Sequence, residues 1–144
     1  MNDDMIITIL NRDKCIENPV EIGLDKDWKV KVRHFDKRFL MKGIYILHFA
    51  DPLRIIYVGK TRGSTMDFNT RIYRHATEAA SRGSQVYQKL KEINKETGKP
   101  VLVSLITTNQ LRTLFRGKTL KDSAMIDIYE QILIHSLHPE LNSR

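Results

Sequence analysis

The sequence predicts a single mixed α+β domain, and three observations carry that expectation. Two strand-like stretches, KGIYILHF at 42–49 and IIYVGKT at 55–61, stand close enough to pair as a hairpin. Two segments with apolar residues at helical spacing follow them. A lone apolar run, VLVSLIT at 101–107, then precedes a last long helical pattern. A chain of 144 residues suits one domain with one modest core.

The first forty residues read as a small β extension. MIITIL at 5–10 is a short strand, NRDK at 11–14 a turn, and VEIGL at 20–24 a further β stretch. WKVKVRHF at 28–35 alternates Trp28, Val30 and Val32 against Lys29, Lys31 and Arg33, a half-buried strand with a basic outer face. Joining the main sheet and covering its edge are both open to this extension.

The hairpin comes next. Between its strands lies ADPLR at 50–54, where Asp51-Pro52 is a turn signal. Alternation puts Gly43 and Tyr45 on one face of the first strand, and Tyr57 and Gly59 on one face of the second. Both tyrosines therefore overlook one patch, and the glycine beside each leaves room for close approach.

GSTMD at 63–67 is a loop, and Asp67 is placed to cap a helix over 68–82. In that helix Phe68, Ile72, Ala76 and Ala79 form an apolar stripe, while Arg71, His75 and Glu78 share another face. Gly83-Ser84 ends it. A second helix over 85–97 buries Val86, Leu90 and Ile93 and turns Lys89, Lys91 and Lys95 outward, with Gly98 and Pro100 closing it. Residues 108–121, TNQLRTLFRGKTLK, read as a basic loop or short helix. The last helix spans 122–137 and stops at His138-Pro139.

Composition narrows the function classes. The formal net charge is +7, from 24 Lys and Arg against 17 Asp and Glu, which favours a polyanionic partner. Cys15 is the lone cysteine, so an internal disulfide and a cysteine zinc cluster are both excluded and a cytosolic setting fits. The start, MNDDMIITIL, is acidic where a signal peptide is basic. No apolar run is long enough to span a bilayer.

Glu130 breaks the pattern of the last helix. Ile126, Leu133, Ile134 and Leu137 share its face. A carboxylate there points partly toward the core, and burying it unpaired costs several kcal/mol in effect or shifts its pKa upward. A metal, an arginine or a dense hydrogen-bond set should compensate. A buried pair with an arginine or tyrosine and no chemistry would satisfy the same pattern.

Taken in order, Gly43-Ile44-Tyr45, Tyr57-Val58-Gly59, Arg71 in FNTRIYRH, Glu130 and the closing PELN resemble the GIY-YIG nuclease family. One triplet alone carries little; the ordered set carries the resemblance, which covers about residues 42–142. It implies a three-stranded antiparallel central sheet flanked by helices. The N-terminal forty residues and the 108–121 block lie outside that core.

The resemblance also implies an activity: hydrolysis of the phosphodiester backbone of DNA with one divalent metal. Tyr45 and Tyr57 match the two family tyrosines, Arg71 the arginine of the first helix, and Glu130 the metal-binding glutamate. Asn142 matches the asparagine near the end of the domain. Lys60 and His75 fall where members carry assisting residues. One carboxylate with waters and substrate oxygens suits Mg²⁺, with Mn²⁺ as a substitute. Arg71 would fork onto the scissile phosphate. Tyr45 would be the general base; a phenol is a poor base at neutral pH unless positive charge from Lys60, His75 or the metal lowers its pKa. Tyr57 would orient the water or hold the phosphate.

Arg62, Arg74, Arg82, Lys89, Arg112, Arg116 and Lys118 are the candidate phosphate contacts, which position a duplex without reading its sequence. Lys29, Lys31 and Arg33 either extend that surface or form a solvated face. The leading expectation is a stand-alone endonuclease. The alternative is a DNA-binding or structure-recognising module that keeps the fold without catalysis. A third is a small restriction or invasion enzyme whose specificity comes from the first forty residues and the 108–121 block. No separate DNA-binding domain is visible, so specificity is low or comes from insertions or a dimer.

Overall fold

The computed structural model describes residues 19–24, 36–61, 67–76, 85–116 and 119–142. The expected strands over 5–10 and 28–35, the turn at 11–14 and the first helix beyond residue 76 lie outside them, as do Arg62, Arg82, Lys118, Lys29, Lys31 and Arg33.

The hairpin forms as its sequence predicts. Gly43–Phe49 (β2) and Arg54–Thr61 (β3) pair antiparallel. At the tip Asp51 adopts the left-handed region (φ 55), which aspartate tolerates, and the Asp51–Pro52 peptide is cis. Val101–Thr107 (β4) pairs antiparallel with the other side of β2. A short strand, Val20–Ile22 (β1), then adds to β4. The sheet order is β1-β4-β2-β3. It thus has four strands, where the resemblance implied three. The reason is physical: without β1, the outer N–H and C=O groups of β4 would lack strand partners. The N-terminal extension therefore contributes directly to the sheet.

Helices cover both faces. Phe68–Ala76 (α1) and Gln85–Thr97 (α2) lie on one side. Thr108–Leu114 (α3) and Asp122–Leu137 (α4) lie on the other. Every residue of β2 is buried as a result, which explains its nearly continuous apolar run. The α1–α2 layer packs Phe68, Ile72, Val86, Leu90 and Ile93 against Tyr45, Leu47, Val103 and Leu105. The α3–α4 layer packs Leu111, Met125, Ile126, Leu133 and Ile134 against Ile44, Ile46, Val58 and Ile106. Each such side chain contributes about 1.5–3 kcal/mol on burial, so Ile126→Ala would open a cavity under the sheet.

Local signals set the boundaries. Asp67 caps α1, its Oδ1 accepting from the Thr70 amide at 2.8 Å. The 108–121 block starts as a true helix because Thr107 and Gln110 form a reciprocal capping box at the end of β4. α4 stops where His138 turns left-handed (φ 50) before Pro139. Gly43 is required at its position, since a Cβ there would lie 2.0 Å from the Ile106 carbonyl oxygen.

The β2–β3 ladder contains one bulge. Leu47 faces Tyr57 and His48 faces Ile55, which leaves Ile56 as the extra residue. Ile56 and Tyr57 then both pack on the α1–α2 side, while Ile55 turns to the α4 side. Among the described residues no helix is long and apolar enough to cross a membrane.

Candidate functional site

β3 is an edge of the sheet, and the candidate residues wrap around it. On the α1 face, Tyr45 stands opposite Gly59 and its ring lies across that glycine. A Cβ at Gly59 would come within 2.2 Å of the ring, so only glycine admits the tyrosine in this pose.

α1 brings Arg71 and His75 to the same face, one turn apart. The helix is anchored by its Asp67 cap and by a hydrogen bond from the Phe68 amide to the Met41 carbonyl at 3.0 Å. The Tyr45 hydroxyl lies 3.0 Å from Nε2 of His75. Tyr57 closes the cluster, with ring centroids 6.2 Å from Tyr45 and 5.2 Å from His75. Phe68 meets the Tyr45 ring edge-on at 6.4 Å.

Burial governs the acid–base state of this pair. It raises the Tyr45 phenol above its ordinary value, and the Tyr57 and Glu130 charges act in the same direction while Arg71 and Arg74 oppose them. The net effect is upward, not the lowering a phenolate base would need. His75 is pushed down to about 4, by burial first and then by Arg71 and Arg74. It is therefore neutral at pH 7 and supplies no positive charge to Tyr45 in this state. Its Nδ1 is buried without a hydrogen-bond partner among the described residues. A neutral imidazole can either accept the phenol proton at Nε2 or donate there, according to tautomer.

On the α4 face, Lys60 stands opposite Ile44 and reaches α4. Its Nζ lies 3.1 Å from Asp127 Oδ1 and 3.3 Å from Glu130 Oε1. Glu130 is 7% exposed, as the apolar setting of its helix face predicts. The compensating charge is this lysine. Gln131 Nε2 also donates to Glu130 Oε1 at 3.4 Å. Burial disfavours the Lys60 ammonium, but the Asp127 hydrogen bond and the Glu130 charge outweigh it and hold Lys60 above its ordinary value. The two faces sense each other, since the Glu130 charge acts on Tyr45.

The remaining candidates divide. Asn142 does not reach the ring cluster with its amide; Oδ1 accepts from the Val58 amide at 2.8 Å and Nδ2 donates to the Val58 carbonyl at 2.9 Å. Lys89 is 3.9 Å from Glu140, which also binds Arg54. Arg112 donates to the Leu120 carbonyl at 2.8 Å and pairs with Asp122, joining α3 to the start of α4. Arg74 and Arg116 are exposed. Two contributors escaped the sequence reading as site residues. Asp127 was readable only as an acidic residue three positions before Glu130, and Gly59 only as room beside a tyrosine.

Among the described residues no group of three or more His, Cys, Asp or Glu converges to hold a metal. Glu130 offers hard oxygen donors in a place that already accommodates the positive charge of Lys60. That suits Mg²⁺, which keeps several waters and binds through one or two carboxylates plus substrate phosphates. The fit is to a sparse site completed by substrate. Comparison of the chain with protein-family models, with curated proteins and with solved structures finds no match.

Proposed function

We propose that this chain is a divalent-metal-dependent endonuclease of the GIY-YIG kind, hydrolysing phosphodiester bonds in DNA. The observation that supports it best is the hydrogen-bonded Tyr45–His75 pair, at 3.0 Å, within electrostatic reach of both Arg71 and Glu130 across one edge strand. A core tyrosine needs none of these neighbours. A hydrolase needs a proton acceptor, a phosphate clamp and an anchored carboxylate together.

In this reading Arg71 forks onto the phosphoryl oxygens. Burial makes a free Tyr45 phenolate unfavourable, so Tyr45 works as a relay. It takes the proton of the attacking water while its own proton passes to Nε2 of His75. The negative charge of a bound phosphate favours the imidazolium, which offsets the cost that burial imposes on it. Tyr57 holds the water or phosphate beside that pair. Glu130 would hold the metal. A bound divalent ion would supply charge neutralisation at the phosphate and at the leaving 3′ oxygen.

Supercoiled plasmid should be nicked or cut with Mg²⁺ and left intact with EDTA. Arg71→Ala and Glu130→Ala should each abolish cleavage while DNA binding largely survives. A wild-type protein that binds duplex, branched and single-stranded DNA but cuts none would instead be a binding module.

A further inference from the structure

Lys60 holds two carboxylates at once. Asp127 and Glu130 lie three residues apart on one face of α4, and the Lys60 ammonium sits between them at 3.1 and 3.3 Å. The two partners are not equivalent. Glu130 is buried and is the carboxylate the nuclease reading assigns to a cation. Asp127 is 40% exposed at its side chain and has no such assignment. A cation at Glu130 would repel an ammonium held on the same oxygen. Lysine has a flexible four-carbon stem, so without a second anion it would swing into solvent.

We infer that Asp127 is a positioning residue for Lys60, retaining its ammonium at the edge of β3 whether or not Glu130 engages a cation. The geometry of the contact stands by itself; its consequence for the reaction rests on the nuclease reading. Under that reading Lys60 keeps its positive charge at the site while Glu130 is occupied. In this role Asp127 touches neither substrate nor metal and acts by positioning Lys60.

The direct test is the Lys60 side-chain ammonium signal in ¹⁵N-labelled, metal-free full chain, assigned by its loss in Lys60→Arg. It should persist in Glu130→Gln, where Asp127 is the remaining carboxylate of the pair, disappear or broaden in the double variant Asp127→Asn/Glu130→Gln, and return in Asp127→Glu/Glu130→Gln. Survival of the signal in Asp127→Asn/Glu130→Gln overturns the inference. In single-turnover cleavage, Asp127→Asn should slow the reaction by about tenfold or more, with no further loss when added to Lys60→Ala. Affinity for duplex DNA should stay within about twofold, because a positioning residue contributes no phosphate contact. If wild type never cleaves, the nuclease reading falls and the ammonium signal still decides the inference. If wild type cleaves and Asp127→Asn cleaves equally fast, the positioning role is overturned and the nuclease reading stands.

Discussion

Tyr45 lies with its ring against the backbone of Gly59, the residue directly across the β2–β3 ladder. A methyl group at position 59 would sit 2.3 Å from the phenol oxygen. Gly59→Ala should therefore expel the ring and break its contact with His75. The expected destabilisation is about 1–3 kcal/mol in a urea titration. Cleavage should fall about a hundredfold, the scale of a 1 Å misplacement. An unchanged midpoint with full activity would show that the ring is not held this way.

Asn142 tests the edge strand. Its amide makes two hydrogen bonds to the Val58 backbone. Asn142→Ala should lose about 1–3 kcal/mol for the pair, read as a drop in thermal midpoint. Asn142→Asp keeps the acceptor and removes the donor, so its loss should be intermediate. Tyr57 and Lys60 flank this contact along β3, so cleavage should drop with it while DNA affinity holds.

Acid should destabilise the protein in a defined window. His48 and His75 are both pushed down to about 4, chiefly by burial, from an ordinary value of 6.5. The unfolded chain takes up protons below 6.5 that the folded chain refuses. Their contribution is complete above pH 6.5 and is lost as pH falls toward 4. His48 Nε2 lies 2.9 Å from the Ser104 hydroxyl rather than on any of the candidate site residues. His48→Asn should flatten the unfolding-midpoint profile over that window. A profile as steep as wild type would remove His48 as a source of the slope.

Charge reversal of roles should appear in salt titrations. Arg74 is exposed and its charge acts on Tyr45 and His75. Arg74→Ala should weaken DNA binding alike on all sequences and reduce the log–log salt slope by about one. Arg112 is committed to Leu120 and Asp122. Arg112→Ala should lower stability slightly and leave the salt slope unchanged. Equal slope changes in the two variants would return Arg112 to the binding surface.

The legible parts of this fold are those with long periodic patterns. Residues 122–137 and 85–97 each span several turns and end on a left-handed or glycine stop, so spacing alone located both helices. VLVSLIT read as a strand for the same reason of length. Val20–Ile22 lay inside a stretch read as β, but its place in the sheet was open, because its partner lies about eighty residues away and local patterns do not encode such pairing. The bulge at Ile56 depends on the partner strand and leaves no local mark. The Thr107–Gln110 box was readable but sat at a strand end, where the apolar run masked it.

The site divides in the same way. Arg71 and His75 were legible because four residues make one helical turn. Glu130 was legible because a charge interrupts an apolar face. Lys60 was legible as an assisting residue, but its pairing with Glu130 was not, since seventy residues separate them in the chain. The acid–base state of Tyr45 and His75 was beyond local reading too, because depth of burial is a property of the packed layers.

Residues 140–142 bond along the outer side of β3. Glu140 donates its amide to Ile55, Leu141 to Ile56, and the Asn142 side chain supplies the next two bonds at Val58. A sheet edge is ordinarily a template on which a second molecule can add a strand and begin to aggregate. Here residues 140–142 already occupy that template over its apolar half. Among the described residues, what remains beyond it, Gly59 to Thr61, is short for such templating and carries a charged lysine. Residues 140–142 thus shield the β3 edge against self-association along Ile55 to Val58.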